Sequence, residues 1–161
     1  MAINVRRVVT GHDAVGKAVV QIDEISANSI SKRAGHAGCV IWTNDTMPAD
    51  NSADAAQDDA GLAKVDTALP GGAVFRLVEY MPGVAPRDHR TDTIDYAVVM
   101  SGEIEMNLDG GSVHLRQGDV LVQRGTIHNW VNNGTEPCVI AFILIAAKPA
   151  EAGDKTLQAT G

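Results

Sequence analysis

The chain of 161 residues contains 13 Lys and Arg and 20 Asp and Glu residues, which gives a net charge of −7. This length suffices for one domain with a hydrophobic core, and the composition is typical of a globular protein. An acidic chain with only 4% aromatic residues does not have the basic, aromatic surface that nucleic-acid binding requires, so we expect no nucleic-acid partner.

The sequence contains no apolar segment of the about 18 residues that a membrane-spanning helix needs. The longest apolar run, residues 139–147, lies between Pro137 and Pro149. Basic residues near the start are not followed by an apolar run, unlike those of a secretory signal. The two cysteines are too few for a disulfide scaffold. We therefore expect no membrane partner, reduced cysteines and a cytoplasmic location.

The first part of the chain, residues 1–72, contains predicted strands at 5–9, 17–22 and 38–42. Residues 43–71 are rich in Asp, Ala and small polar residues, which favours a solvated acidic loop with one short helix near 54–63. Alternatively, this segment forms a flap over a pocket or a dimer arm, because long loops inside compact domains are often functional.

The second part, residues 73–147, consists of short apolar and alternating segments separated by glycine turns. The predicted strands are 73–80, 95–100, 103–108, 112–116, 119–123, 127–131 and 138–145. Seven strands without a helical period predict an antiparallel sandwich or barrel. Because the last strand is apolar on both faces, we expect it in the middle of a sheet.

These patterns divide one domain into three parts. We expect residues 1–72 to pack on the barrel as N-terminal strands and an acidic loop, and residues 73–147 to form the barrel core. Residues 148–161 follow the last strand and have no apolar period, which predicts a frayed, flexible tail.

Three side chains in the barrel core are candidates for chemistry: His89, Asp95 and His128. Two imidazoles and one carboxylate can hold a divalent transition metal and leave coordination positions open for substrate or oxygen. Asp95 and His128 each share a strand face with apolar residues, so both side chains can line one interior.

Two sequence runs resemble the two motifs of the cupin family. The first is Gly83, five residues, His89-Arg90-Thr91, three residues, Asp95, six residues and Gly102. The second is Gly118-Asp119, three residues, Gln123-Arg124-Gly125, two residues, His128, three residues and Asn132. The resemblance implies an all-β fold, the cupin double-stranded β-helix (jelly-roll) barrel of a small single-domain cupin.

The resemblance also implies a cofactor and an oligomeric state. Cupins commonly bind iron, manganese, nickel or zinc, and His89 and His128 stand at metal-binding histidine positions of the two motifs. Thr91 stands where a second histidine is usual, Asp95 where glutamate is usual, and Gln123 where proline is usual. A divalent metal held by His89, Asp95 and His128 is therefore expected. A homodimer is expected too, since small cupins commonly cover an open sheet edge in this way.

Three further residues are candidates for substrate binding. Arg76 can grip a carboxylate or phenolate, although such an arginine is also common on a solvated sheet face. Thr91 either faces the pocket or bonds its loop neighbours. Trp130 either lines the interior or belongs to the ordinary core. His36 lies among glycines without a partner at ligand spacing, which favours a surface loop.

We therefore expect a cupin enzyme that acts on a small oxygenated or aromatic organic molecule. With a metal it would be a dioxygenase, decarboxylase, isomerase or lyase, and the fold does not choose among these. One alternative is a metal-free dehydratase or isomerase with His89 and His128 as acid and base and Asp95 orienting one of them. The other alternative is a non-catalytic sensor or binding barrel.

Overall fold

The computed structural model describes residues 3–52 and 67–161, which form strands and turns without a helix. The strands are β1 Arg6–His12, β2 Ala18–Ile25, β3 Ser29–Arg33, β4 His36–Asn44, β5 Ala73–Tyr80, β6 Thr93–Ser101, β7 Glu103–Leu108, β8 Gly111–Arg116, β9 Val120–Arg124, β10 His128–Val131, β11 Cys138–Ala146, β12 Ala150–Ala152 and β13 Lys155–Leu157. The all-β prediction is confirmed. The helix predicted near 54–63 lies outside the described residues.

Two antiparallel sheets enclose the main core, as expected for a jelly-roll barrel. One has six strands in the order β3-β4-β5-β11-β6-β9, and the other has three in the order β10-β7-β8. The buried side chains between them come from both sheets; among the most buried are Val74, Val78, Ile104, Met106 and Ile140. Burial of these apolar side chains is the main favourable term that holds the two sheets together.

Strand β11 lies between β5 and β6 and is covered on both faces, as its continuous apolar sequence predicts. Ile140 and Phe142 point into the core between the sheets. Val139 and Ala141 point the other way and pack against a second cluster formed by Ile3, Cys39, Ile41 and Leu77. Both cysteines are buried and free, in agreement with the expected reduced state.

The first part of the chain is integrated into the barrel more closely than predicted. Strands β3 and β4 extend the six-stranded sheet, since β4 pairs with β5. Strand β3 was absent from the sequence prediction because its polar sequence, SISKR, does not alternate with the period of a half-buried strand. Strands β1 and β2 form a separate two-stranded ribbon.

The structure gives regular pairing to residues 148–161, for which the sequence predicts a frayed tail. Strands β12 and β13 form a hairpin, and the backbones of Thr160 and Arg90 exchange two hydrogen bonds of 3.0 and 2.9 Å. Pairing with a distant loop gives the backbone N–H and C=O groups hydrogen-bond partners other than water. No local sequence pattern predicts such pairing.

Asn132, at the end of the second motif, links the end of β5 to the turn that follows β10. Its Nδ2 donates to the carbonyl oxygens of Tyr80 and Glu136 at 2.8 and 2.9 Å, and its Oδ1 accepts from the amide of Gly134 at 2.9 Å. The side chain is fully buried, so these bonds satisfy a costly polar group and fix β10 beside the end of β5.

None of the described residues forms a helix long and apolar enough to cross a bilayer.

Candidate functional site

His89, in the loop after β5, and His128, at the start of β10, lie side by side. Gly83, with a φ of 73°, supplies the left-handed turn that follows β5 and leads into the loop with His89. The backbones of the two histidines exchange two hydrogen bonds of 3.0 Å, and their ring centroids lie 4.2 Å apart. His128 is 4% exposed, whereas His89 is half-buried. The two histidines that the sequence singled out are therefore in direct contact.

Backbone carbonyl groups set the tautomer of both imidazoles. The Nδ1 of His89 lies 3.1 Å from the oxygen of Arg87, and the Nδ1 of His128 lies 3.0 Å from the oxygen of Thr126. Since a carbonyl oxygen only accepts, these bonds assign the hydrogen of each neutral ring to Nδ1 and leave a lone pair on Nε2. Backbone carbonyls thus orient the rings, a role that the sequence analysis offered to Asp95.

Burial keeps both rings neutral. Burial, together with the neighbouring ring of His89, lowers the pKa of His128 to about 4. Burial also lowers the pKa of His89, to which the positive charges of Arg87, Arg76 and Arg33 add. Near neutral pH the pair therefore presents two lone pairs and no positive charge.

Asp95 lies on β6 and is bonded to other residues. Its Oδ1 accepts a hydrogen bond of 2.6 Å from Thr93 Oγ1, and its Oδ2 accepts one of 3.0 Å from Gln123 Nε2. Thr91 Oγ1 lies 2.7 Å from Thr93 Oγ1 and is the donor there, because the only hydroxyl hydrogen of Thr93 points to Asp95. Burial raises the pKa of Asp95. Thr91, Asp95 and Gln123 are the three departures from the cupin motifs. Thr93 joins Thr91 to Asp95, so the three residues belong to one hydrogen-bonded chain.

The expected three-ligand metal site is not assembled in the described part of the chain. Among residues 3–52 and 67–161, no three His, Cys, Asp or Glu side chains are placed to hold one ion. Both carboxylate oxygens of Asp95 already accept hydrogen bonds, and its side chain is one methylene shorter than the usual glutamate. The structure thus brings His89 and His128 together and does not group Asp95 with them, and the metal ligand set stays a prediction.

A cavity of about 300 Å³ opens beside His89. Its walls include the aromatic rings of Tyr80 and Trp130, whose centroids lie 6.1 Å apart. The Trp130 ring also contacts His128 edge-on at 5.9 Å. Trp130 therefore belongs to the main core cluster and also lines the cavity, so both of its predicted roles apply. Thr91 lies at a neighbouring shallow cleft and bonds Thr93, which agrees with its alternative role as a loop hydroxyl.

Arg76 points into the cavity. It shares the inner face of β5 with Val74 and Val78, and it lines the cavity as a half-buried residue. The alternative of an arginine on a solvated sheet face is therefore wrong.

Sequence reasoning missed three further cavity residues: Arg33, His36 and Arg87. The prediction of a surface loop for His36 is wrong, because His36 pairs with Tyr80 at the start of β4 and their rings lie 5.4 Å apart. Burial, together with Arg33, Arg76 and Arg87, lowers its pKa to about 4. His36, Gly38 and Val40 stand at alternate positions of one strand, and this alternation was the available sequence signal for His36. The glycines obscured the strand pattern.

Comparison with known proteins identifies relatives of this chain. A sequence profile of the cupin domain matches residues 76–145. The phomopsin biosynthesis cluster protein C' of Diaporthe leptostromiformis is 37% identical over 157 residues, covering 94% of this chain and 83% of that protein. A cupin-domain-containing oxidoreductase of Hypocrea virens is 32% identical over 153 residues, covering 92% of this chain and 79% of that protein. The chain belongs to the cupin family.

Proposed function

We propose that this cupin protein is an enzyme that moves protons on a small organic substrate, as an isomerase or dehydratase does. The observation that carries the proposal is the contact of two neutral, oriented imidazoles, 4.2 Å apart, beside a cavity of about 300 Å³. Oriented imidazoles are the side chains that most often serve as general acids and bases.

His89 is the group that faces the substrate, since it lines the cavity. Its Nε2 lone pair takes a proton from a carbon next to a carbonyl group, and the electron pair of the C–H bond forms the enolate. Return of the proton to another atom of the enolate completes an isomerisation. Alternatively, transfer of the proton to a departing β-hydroxyl group releases water and completes a dehydration.

His128 positions His89, because their backbones are hydrogen-bonded and their rings are in contact. The protonated form of His89 lies against a buried, neutral ring whose Nδ1 is held by Thr126. A substrate with negative charge would offset the field of Arg33, Arg76 and Arg87 and raise the pKa of His89. The base therefore becomes stronger when the substrate is bound, which suits a group that must accept a proton in the complex.

A second candidate is a metal-dependent oxidoreductase. Relatives such as the Hypocrea virens protein carry the name oxidoreductase. Moreover, donation from Nδ1 to a carbonyl oxygen is the way metal-binding histidines are usually held. His89 and His128 would be the protein ligands, and a metal there would supply Lewis-acid or redox chemistry.

Deuterium exchange tests the first candidate. The protein is incubated in D₂O with a panel of 2-oxo and 3-hydroxy carboxylic acids, and incorporation at carbon is followed by NMR. We expect exchange that is lost in His89→Gln, reduced in His128→Gln and retained in His114→Gln. His114 is the matched control because it is exposed on β8 and bonded to Glu103.

Metal analysis separates the two candidates. Proton exchange that survives chelation by EDTA and dialysis supports acid–base chemistry. One equivalent of bound iron, manganese, nickel or zinc that is lost in His128→Gln, with exchange that depends on it, supports the metal-dependent enzyme instead. Exchange that persists in His89→Gln would contradict the proposed role of the histidine pair.

A further inference from the structure

We propose that the cavity beside His89 recognises an organic anion, a carboxylate or the equivalent enolate, through the arginines Arg33, Arg76 and Arg87. The proposal deepens the proposed function by naming the charge of the substrate, and it rests on that function only in taking this cavity as the substrate site.

The charge of the cavity wall is opposite to that of the whole protein. The chain has a net charge of −7, yet the lining residues include Arg33, Arg76, Arg87 and Lys32. None of the lining residues in the described part of the chain is Asp or Glu. A concave surface of one charge sign concentrates ligands of the opposite sign.

Separate elements bring the three arginines to one place. Arg76 projects from the inner face of β5, and Arg33 ends β3, where its guanidinium donates to the backbone oxygen of Ala85. Arg87 lies two residues before His89, and its guanidinium donates to the backbone oxygen of Gly161 at 2.6 Å. These bonds hold two of the guanidinium groups in place, so less entropy is lost when a ligand binds them.

The electrostatic field of the arginines converges on the cavity wall. Burial is the main cause of the low pKa of His36 and His89, and Arg33, Arg76 and Arg87 each lower both values further. The imidazoles on the wall are therefore neutral and add no competing charge. Permanently charged guanidinium groups are the cations that face a ligand at any pH at which the protein functions.

The other lining residues and the cavity volume indicate the size and shape of the uncharged part of the ligand. Tyr80 and Trp130 contribute aromatic side chains to the wall, and burial raises the pKa of Tyr80 to about 12, so its hydroxyl stays protonated and can donate. A volume of about 300 Å³ corresponds to roughly ten water molecules at ~30 Å³ each. A planar carboxylate with about ten to fifteen non-hydrogen atoms fits this combination of size, apolar wall and charge.

Fluorescence of Trp130 gives a direct binding assay. The chain has two tryptophans, so Trp42→Phe leaves Trp130 as the only tryptophan, in the cavity wall. Benzoate and phthalate serve as anionic probes, and benzamide is the neutral control with the shape of benzoate. We expect both anions to bind, benzamide to bind at least about tenfold more weakly, and the affinity for the anions to fall with added salt.

Charge-removing variants in the same background assign the site. Arg76→Gln and Arg87→Gln should each weaken benzoate binding about ten- to a hundredfold, the range for one charge-assisted hydrogen bond. Arg116→Gln, at an exposed position on β8, is the matched control and should leave binding unchanged. Arg87 is exposed, so its variant tests the site even where Arg76→Gln fails to fold.

Benzamide binding as tightly as benzoate overturns the proposal, and so do equal effects of Arg87→Gln and Arg116→Gln. His89→Gln separates this proposal from the proposed function. If His89→Gln abolishes deuterium exchange and still binds benzoate, both stand. Benzoate binding without exchange by the wild-type protein refutes the function and supports the anion site, whereas exchange without binding of benzoate or phthalate refutes the anion site alone.

Discussion

Replacing Gln123 by Leu removes one of the two side-chain donors to Asp95. Both residues are buried, with 3% and 4% of their surface exposed, and the bond from Gln123 Nε2 to Asp95 Oδ2 is 3.0 Å long. The new leucine has a similar size and brings no donor. Asp95 Oδ2 is then a buried acceptor that has lost its partner in the described structure.

The size of the effect follows from two opposing contributions. Loss of a partner for a buried polar group costs about 1–3 kcal/mol. Gln123 Oε1 is itself buried without a hydrogen-bond partner among the described residues, so its removal offsets part of that cost. We expect a net loss of about 1–2 kcal/mol in the free energy of unfolding at pH 7, or roughly 2–8 °C in melting temperature.

The loss should depend on pH with a definite sign. Burial raises the pKa of Asp95 above its usual value of 3.8, so between pH 3.8 and the folded pKa the folded protein holds a proton that the unfolded chain has released. The contribution of Asp95 to stability therefore falls as pH rises from about 3.8 through its folded pKa. Removing the donor raises the folded pKa further, because the ionised carboxylate loses a hydrogen bond. The cost of Gln123→Leu should be larger at pH 8 than at pH 4.

Urea unfolding at the two pH values measures both quantities, and Gln117→Leu in an exposed turn is the matched control. A double-mutant cycle with Asp95→Asn should give an interaction energy above about 0.5 kcal/mol. A cost below about 0.5 kcal/mol at pH 8, or an equal cost at both pH values, would refute the reasoning.

Three further predictions concern other parts of the molecule. Burial lowers the pKa of His36 and His128 from 6.5 to about 4 in the folded protein, so the free energy of unfolding should fall between pH 6.5 and 4, by up to about 1.4 kcal/mol per pH unit for each residue. Urea unfolding across this range should show no such slope if the rings were exposed. Ending the chain after Gln158 removes Thr160, the strand partner of Arg90 in the His89 loop. Amide hydrogen exchange at Arg90 should then become faster. An unchanged exchange rate would show that the tail does not hold the loop. The expected homodimer should sediment with twice the mass of the 16.9 kDa chain. Val120→Lys, on an outer sheet face with several exposed apolar residues, should shift it to the monomer, and a dimer that survives this change would contradict the contact.

The sequence alone determined the class of fold and the two histidines of the site. Strand alternation, glycine turns and the doubly apolar β11 are local patterns that follow from the period of a β-strand, and they predicted the barrel core and the central position of β11. The resemblance of the two runs to the cupin motifs predicted His89 and His128 as functional partners, and the structure brings their rings into contact.

The tertiary structure alone decided what surrounds the histidine pair. Asp95 has the right charge for a ligand, yet the register of β6 against β9 places it opposite Gln123, which binds it instead. Pairing of β4 with β5 brings His36 opposite Tyr80 at the cavity, and the tail pairs with the loop before the barrel strand β6. Strand register and loop pairing depend on contacts between residues far apart in the chain. A single sequence records the residue types and their local period, and the fold supplies the neighbours across the sheet.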